Sequence, residues 1–234
     1  MFDTKFWKKY FTTYDVLNLV IPYQELLDEL IKNLDVKSDE LILDAGSGTG
    51  NLTIKLERIE AKVIALDYSK EGLESHKAKD ENANTIQHDL SRPLPFTDSY
   101  FDKIVSNNTI YTISPEKRPA IFKEFYRVLK PGGKIVIANV HTGFKPFEIY
   151  KEGIKKMIHK QGVLYTIFTV LKMIVPTIKI FYFNSKIKKE HKVGDYHFMK
   201  ENEQQDLLRQ AGFKNISENK LVYANQGILN SAEK

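Results

Sequence analysis

The sequence predicts an α/β fold, a parallel sheet with helices on both faces. Three observations carry that expectation. Short apolar runs alternate with stretches of helical periodicity from about residue 22 to residue 140. One of these runs, Leu41-Ile42-Leu43-Asp44-Ala45, leads into Gly46-Ser47-Gly48-Thr49-Gly50 and then a helical stretch. Glycine there permits positive φ and lets a ligand approach the backbone, while the free N–H groups of the helix start point at that ligand. The next two runs, KVIALD and NTIQHD, end on aspartates, Asp67 and Asp89.

The elements follow in order. Phe6, Tyr10 and Tyr14 recur every fourth residue, which predicts a short helix with one side on the core. Pro22 suits the first turn of a second helix, and Leu26, Leu27, Leu30, Ile31 and Leu34 continue it at helical spacing. Strand 41–45, the glycine turn and its helix come next, then strand 62–67. Ser69 is a candidate N-cap for a helix to about Lys79. Strand 84–88 precedes a loop bounded by Pro93 and Pro95, and FDKIVS, 101–106, reads as the fourth strand. Ser114-Pro115-Glu116 predicts another helix start, with Ile121, Phe122, Phe125, Val128 and Leu129 on one face. Pro131-Gly132-Gly133 is expected to stop that helix, leaving 134–140 as a strand.

After Val140 the alternation stops. Phe147, Tyr150, Ile154, Met157 and Ile158 share one helical face, and Gly162 breaks the run. Val163, Leu164, Ile167, Phe168, Leu171, Ile174 and Val175 form a second apolar stripe, with Tyr165, Thr169 and Lys172 opposite; Pro176 is expected to end it. A helix over 162–175 rises about 20 Å, short of a hydrocarbon core of ~30 Å. The segment therefore reads as an inserted helical lid, its apolar stripe inward and its lysines outward. Helix 200–211, capped by Gly212, follows. Closing strands are expected at 213–218 and 221–228.

A chain of 234 residues, 42% apolar, fits one domain carrying an insertion. It has no cysteine, hence no disulfide framework and no thiolate metal site. The opening MFDTKFWKKYF lacks the apolar run and small-residue cleavage site of a signal peptide, so a cytoplasmic protein is expected. The net charge of +5 is uneven: residues 145–192 hold eleven lysines and three glutamates with no aspartate or arginine, which leaves +8 there and −3 elsewhere. Two readings stand, a solvated helix face or attraction to an anionic surface.

In this order LILDAGSGTG, KVIALD, NTIQHD and RVLKPGGKIVIANV resemble the class I S-adenosylmethionine-dependent methyltransferases, over about residues 35–140. Tyr14-Asp15-Val16-Leu17-Asn18 is similar to the opening helix of the ubiquinone and menaquinone methyltransferases, and the stretch from Pro93 to Tyr111 resembles the same group. The resemblance implies a Rossmann-like seven-stranded sheet, mostly parallel, closed by an antiparallel C-terminal hairpin. It also implies one methyltransferase domain over 1–234, with cofactor-covering helices in 1–34 and a lid at about 145–195.

S-adenosyl-L-methionine is the implied cofactor and S-adenosyl-L-homocysteine the product. By resemblance, Asp44 faces the methionine end of the cofactor, where a carboxylate offsets positive charge, and Gly46, Ser47 and Gly48 pass beneath it. Asp67 accepts from the ribose hydroxyls. Asp89 and Leu90 read the adenine edge, and Asn107 and Asn108 border the methyl group. Tyr68 lies on the adenine face or is a surface tyrosine. A nicotinamide enzyme is the rival, but residue 51 is Asn51 where G-x-G-x-x-G needs its third glycine. Ser106-Asn107-Asn108-Thr109 lacks the prolines of base N-methylating members. His141 is a candidate base or a loop histidine; Tyr111 and Tyr14 are candidate catalytic residues beside it, with Tyr196 and His197 weaker candidates of the histidine's kind. Asp98 and Asp102 are the acids near the fourth strand, so no metal is expected.

The expected acceptor is a small, largely apolar molecule, such as a quinone precursor, lipid or isoprenoid-like metabolite. Nucleic acid is not expected as a partner, and peripheral contact with an anionic membrane is open. The alternatives are methylation of RNA or protein through the basic insertion, and a non-catalytic cofactor-binding regulator.

Overall fold

The structure is a computed structural model that describes Thr13, residues 15–190 and residues 197–234, with the backbone alone over 183–190. The expected helix at Phe6, Tyr10 and Tyr14 lies outside the described residues. A 3-10 turn at Asp15–Leu19 leads into α1, Ile21–Leu34, with Pro22 in its first turn. Then come β1 (Leu41–Ala45), α2 (Asn51–Glu57), β2 (Lys62–Asp67), α3 (Lys70–Lys79), β3 (Thr85–Gln87) and β4 (Phe101–Asn107). Helix α4, Arg118–Val128, precedes β5, Leu129–Val140. The insertion folds as α5 (Pro146–Gln161) and α6 (Val163–Glu190), after which α7 (Glu203–Ala211), β6 (Lys220–Val222) and β7 (Gly227–Glu233) finish the chain.

The seven strands form one sheet in the order β3-β2-β1-β4-β5-β7-β6. Pairing is parallel from β3 through β5 and antiparallel at β5–β7 and β7–β6. The order reverses at β1, which places the carboxyl ends of β1, β2 and β4 around one crevice. Side chains alternate across the sheet with period two. Ile42, Val105, Val136, Ala138 and Val140 face α1, α2 and the insertion. Leu43, Ala45, Ile104, Ile135 and Ile137 face α4 and α7.

Four local expectations are corrected. β5 begins at Leu129, because the Pro131-Gly132-Gly133 segment is a register shift inside the strand: Phe101 pairs with Leu129, and pairing resumes at Lys103 with Lys134. Pro115–Lys117 is a separate 3-10 turn before α4, and Ser114 makes no side-chain cap. The closing hairpin is 220–222 with 227–233, while 213–218 contributes only a single bridge, Lys214 to Glu233. Tyr223, Ala224 and Asn225 all take positive φ there, a turn made without glycine and so without its usual sequence signal.

The fourth correction is the largest. Pro176 does not end α6; the helix runs 28 residues through it, although proline removes an intrahelical hydrogen bond at a cost of ~3 kcal/mol. Val163–Tyr182 is long and apolar enough to cross a membrane by length and composition, so the length argument against a span fails. The helix also faces the other way from expectation. Thr166, Thr169, Met173 and Ile180 are its buried side, and Leu164, Phe168, Leu171 and Val175 are exposed. Met173 and Ile180 pack with Val16, Leu17, Val20 and Ile149.

Candidate active site at the carboxyl ends of the strands

Asp44 sits at the end of β1, 1% exposed, and its Oδ2 accepts the Thr53 hydroxyl at 2.6 Å. Burial pushes its carboxyl up to about 7, helped by the charges of Asp67 and Glu57 and opposed by the Thr53 hydroxyl. The glycine turn follows. A Cβ at Gly46 would lie 2.1 Å from Thr109 Oγ1, and one at Gly50 2.1 Å from the His76 ring, so packing requires both glycines. Gly48 differs: its φ is +55°, yet among the described residues nothing lies within 4 Å of where its Cβ would be. The described residues leave that side of the turn open.

Asp67 closes β2 behind the turn. Gly48 N–H donates to its Oδ2 at 2.8 Å and Ser69 N–H to its Oδ1 at 2.8 Å. Burial raises its carboxyl, and those two amides hold it down. Each oxygen keeps a lone pair for a further donor. Tyr68, next in the chain, is exposed. Asp89 turns back on itself: Oδ1 accepts the Ser91 N–H at 2.9 Å and the Ser91 hydroxyl at 2.7 Å. Burial works against its charge, but those bonds, with Arg92 and Lys117, bring its carboxyl below the ordinary value. Leu90 is buried beside it.

The loop after β4 is tied to this turn. Thr109 Oγ1 donates to the Gly46 carbonyl at 3.1 Å, and Asn108 takes φ +50°, which asparagine tolerates. Asp15 in the 3-10 turn accepts from Thr49 Oγ1 at 2.8 Å and Lys79 Nζ at 2.9 Å. The residues just before α1 are thus anchored to the glycine turn. Among the described residues, two buried polar atoms of the cluster have no partner, Ser47 Oγ and Asn107 Oδ1. Among the described residues no group of three or more His, Asp or Glu is placed to hold a metal.

On the β4–β5 side, Tyr111, Phe144 and Phe198 meet. The Tyr111 and Phe198 rings stack with centroids 5.9 Å apart and 8° between planes, and Phe144 lies 5.6 Å from Phe198. The Tyr111 N–H donates to Asn139 Oδ1 at 3.2 Å. His141, at the end of β5, places Nδ1 2.8 Å from the Thr142 carbonyl and Nε2 3.1 Å from the Asn225 carbonyl. To take a proton from an acceptor, either nitrogen must first leave a carbonyl. The His197 carbonyl accepts from Arg118. Tyr14 and Tyr196 lie outside the described residues.

Sequence reasoning missed Thr53, Phe144, Phe198 and Arg118. Thr53 lies nine residues past Asp44 on the buried face of α2 with Leu52 and Leu56, and a threonine there gave no cue to its role. The other three meet only in the folded chain.

The family described as "Methyltransferase domain" matches residues 42–133. The chain is 31% identical to a demethylmenaquinone methyltransferase of Staphylococcus saprophyticus over 215 residues, 87% of this chain and 84% of that protein. It is 30% identical to a protein of the same name in Staphylococcus carnosus, covering 88% and 82%. The chain belongs to the class I S-adenosylmethionine-dependent methyltransferases. A solved structure from Methanococcus maripaludis, described as an enzyme of this kind, superposes with a TM-score of 0.61 at 24% identity, covering 100% of this chain and 96% of that one.

The residues of this methyltransferase fit its cofactor. Ser47 Oγ and Asn107 Oδ1 are buried polar atoms in want of partners, the Gly48 side of the turn is open, and Asp44 and Asp67 offer carboxylates to a cationic, hydroxyl-bearing ligand. The glycines give a test. Gly48→Ala should stay folded, at a cost of about 1–2 kcal/mol for positive φ, yet bind cofactor much more weakly. Gly50→Ala should lose roughly 2–5 kcal/mol of stability through its overlap with His76. Thermal melts and titration calorimetry separate the two; a Gly48→Ala protein that binds like the parent would mean the turn does not approach the cofactor.

Proposed function

We propose that this methyltransferase acts on a small, largely apolar acceptor, a quinone precursor or isoprenoid-like lipid. The observation that carries the reading is the aromatic wall of Tyr111, Phe144 and Phe198 beyond β4 and β5, since a flat apolar ring packs well on aromatic faces. The names of the two staphylococcal relatives support the same acceptor class. In this reading Asp44 offsets the positive charge of the cofactor, and Gly46, Ser47 and Gly48 carry the backbone beneath it. Asp67 takes the ribose hydroxyls, Tyr68, Asp89 and Leu90 take the adenine, and Asn107 and Asn108 border the reacting end.

S-adenosylmethionine supplies an already activated methyl group when bound. The protein's part is then to orient and to exclude water. Thr53 holds the Asp44 carboxyl, Thr109 joins the loop after β4 to the glycine turn, and Asn139 fixes the backbone of Tyr111. His141 serves as base only after releasing a carbonyl, so His141→Ala should change turnover within about twofold, well under the ~10²–10⁴-fold of a general base.

The decisive assay follows labelled methyl transfer to a reduced demethylmenaquinone with a short isoprenoid tail, beside bulk RNA. Product is expected with the quinol. Phe198→Ala should raise the acceptor KM by up to about tenfold, the worth of an aromatic pair, with cofactor affinity unchanged. Transfer to RNA alone, falling steeply with salt, would instead support the basic insertion as a nucleic-acid grip.

A further inference from the structure

We infer that the outward face of α6 docks in the plane of an anionic lipid bilayer. At 100° per residue, Leu164, Ile167, Phe168, Leu171, Ile174, Val175, Ile178 and Tyr182 form one continuous band, and every one is exposed; Leu164 is 74%, Phe168 65% and Ile178 62% exposed. Contiguous apolar surface of this extent on a folded chain marks a contact site. Lys172 and Lys179, seven residues apart, lie along one edge of the band and are also exposed. Lys145, Lys151, Lys155 and Lys160 of the adjoining helix and its lead-in are exposed as well.

Charge decides among occupants. The insertion carries +8 against −3 for the rest of the chain. A second copy of this chain would bring lysines against lysines at such a face. An anionic headgroup layer complements them, and their long stems reach back over the apolar band.

The buried side decides between lying on the bilayer and crossing it. Thr166, Thr169, Met173 and Ile180 are buried, and α6 packs on the 3-10 turn and α5. A helix clamped along one side to the catalytic domain cannot be ringed by lipid. An amphipathic helix with a basic edge lies instead in the interface. This inference rests on the exposed face and not on the acceptor assignment.

The test is flotation of the full chain with phosphatidylcholine vesicles and with vesicles also containing phosphatidylglycerol. Binding is expected to the anionic vesicles and to fall as salt screens the lysines. Lys172→Gln with Lys179→Gln should weaken it about thirtyfold, at about fivefold per lysine. Phe168→Asp with Leu171→Asp should abolish it while leaving cofactor affinity and the circular dichroism spectrum unchanged. The inference is overturned if the parent chain fails to float, or if the aspartate variant floats as well as the parent. It is overturned equally if the chain forms a dimer that the aspartate variant dissolves without any vesicle binding. Membrane fractions that keep the protein through alkaline carbonate washing would show a spanning helix and overturn it too.

Discussion

Asp44→Asn is expected to weaken S-adenosylmethionine binding by about 10–100-fold at pH 8, the scale of a lost hydrogen bond to a charged group, while raising the melting temperature of the free protein. Both effects come from one carboxyl, 1% exposed and lifted to about 7 by burial. In the unfolded chain it titrates near its ordinary value of 3.8. Between these values the folded protein holds a proton that the unfolded chain has released, so stability falls as pH rises from about 4 to about 7. The full difference is on the order of 4 kcal/mol, and asparagine removes it while still accepting from Thr53.

Glu57, lifted to about 7 by burial and by Asp80, leaves some of the same slope in the variant. His76, brought down to about 4 by burial and Lys79, acts in the opposite sense: its stability is present above about pH 6.5 and lost as pH falls toward 4. Parent and variant must therefore be compared at the same pH. Cofactor affinity of the parent should improve from pH 6 to pH 8 as Asp44 ionises, and the variant should lack that gain. Calorimetry and thermal melts at both pH values check it. A variant that binds as tightly as the parent at pH 8 removes Asp44 from the site.

Arg118→Met should lower the melting temperature by roughly 10 °C, the equivalent of breaking a buried ion pair at ~3–5 kcal/mol. The guanidinium is fully buried. It pairs with Glu203 on α7, donates to the Ile113 carbonyl at 3.0 Å, and holds the carbonyls of His197 and Tyr111. One side chain thus ties the loop after β4 to the chain returning from the insertion, on either side of the Tyr111–Phe198 stack. The variant should also show a raised acceptor KM with cofactor affinity intact. Arg118→Lys keeps the charge but not the fork of donors, so it should fall between the two. An unchanged melting temperature would mean that Glu203 and the carbonyls find water, and that the latch is not needed.

The glycine turn and the acids at the ends of β1, β2 and β3 were legible because their chemistry is local. A strand, a turn that needs positive φ and a helix start lie within ten residues, and each leaves its own residue types. Helical periodicity likewise identified the insertion and grouped Leu164, Phe168, Leu171 and Val175 on one face. It could not say which way that face points. The buried side of α6 is Thr166, Thr169, Met173 and Ile180, chosen by the groove that Val16, Leu17, Val20 and Ile149 make.

Local rules were also overruled by packing. Pro176 stays inside its helix, since contacts on either side of it offset one missing hydrogen bond. His141 stands where sequence order put it, but Thr142 and Asn225, the latter 84 residues away, supply the carbonyls that occupy its ring. Arg118 meets His197 and Glu203 across about 80 residues of chain, Tyr111, Phe144 and Phe198 come from three separate stretches, and no spacing announces either group. By itself the sequence determined the parallel strands, the glycine turn and the acids around it, because each follows from the conformational limits of a few adjacent residues. Only the tertiary structure decided the aromatic wall beyond β4 and β5, its arginine latch and the outward face of α6, because those depend on which distant surfaces the burial of apolar area brings together.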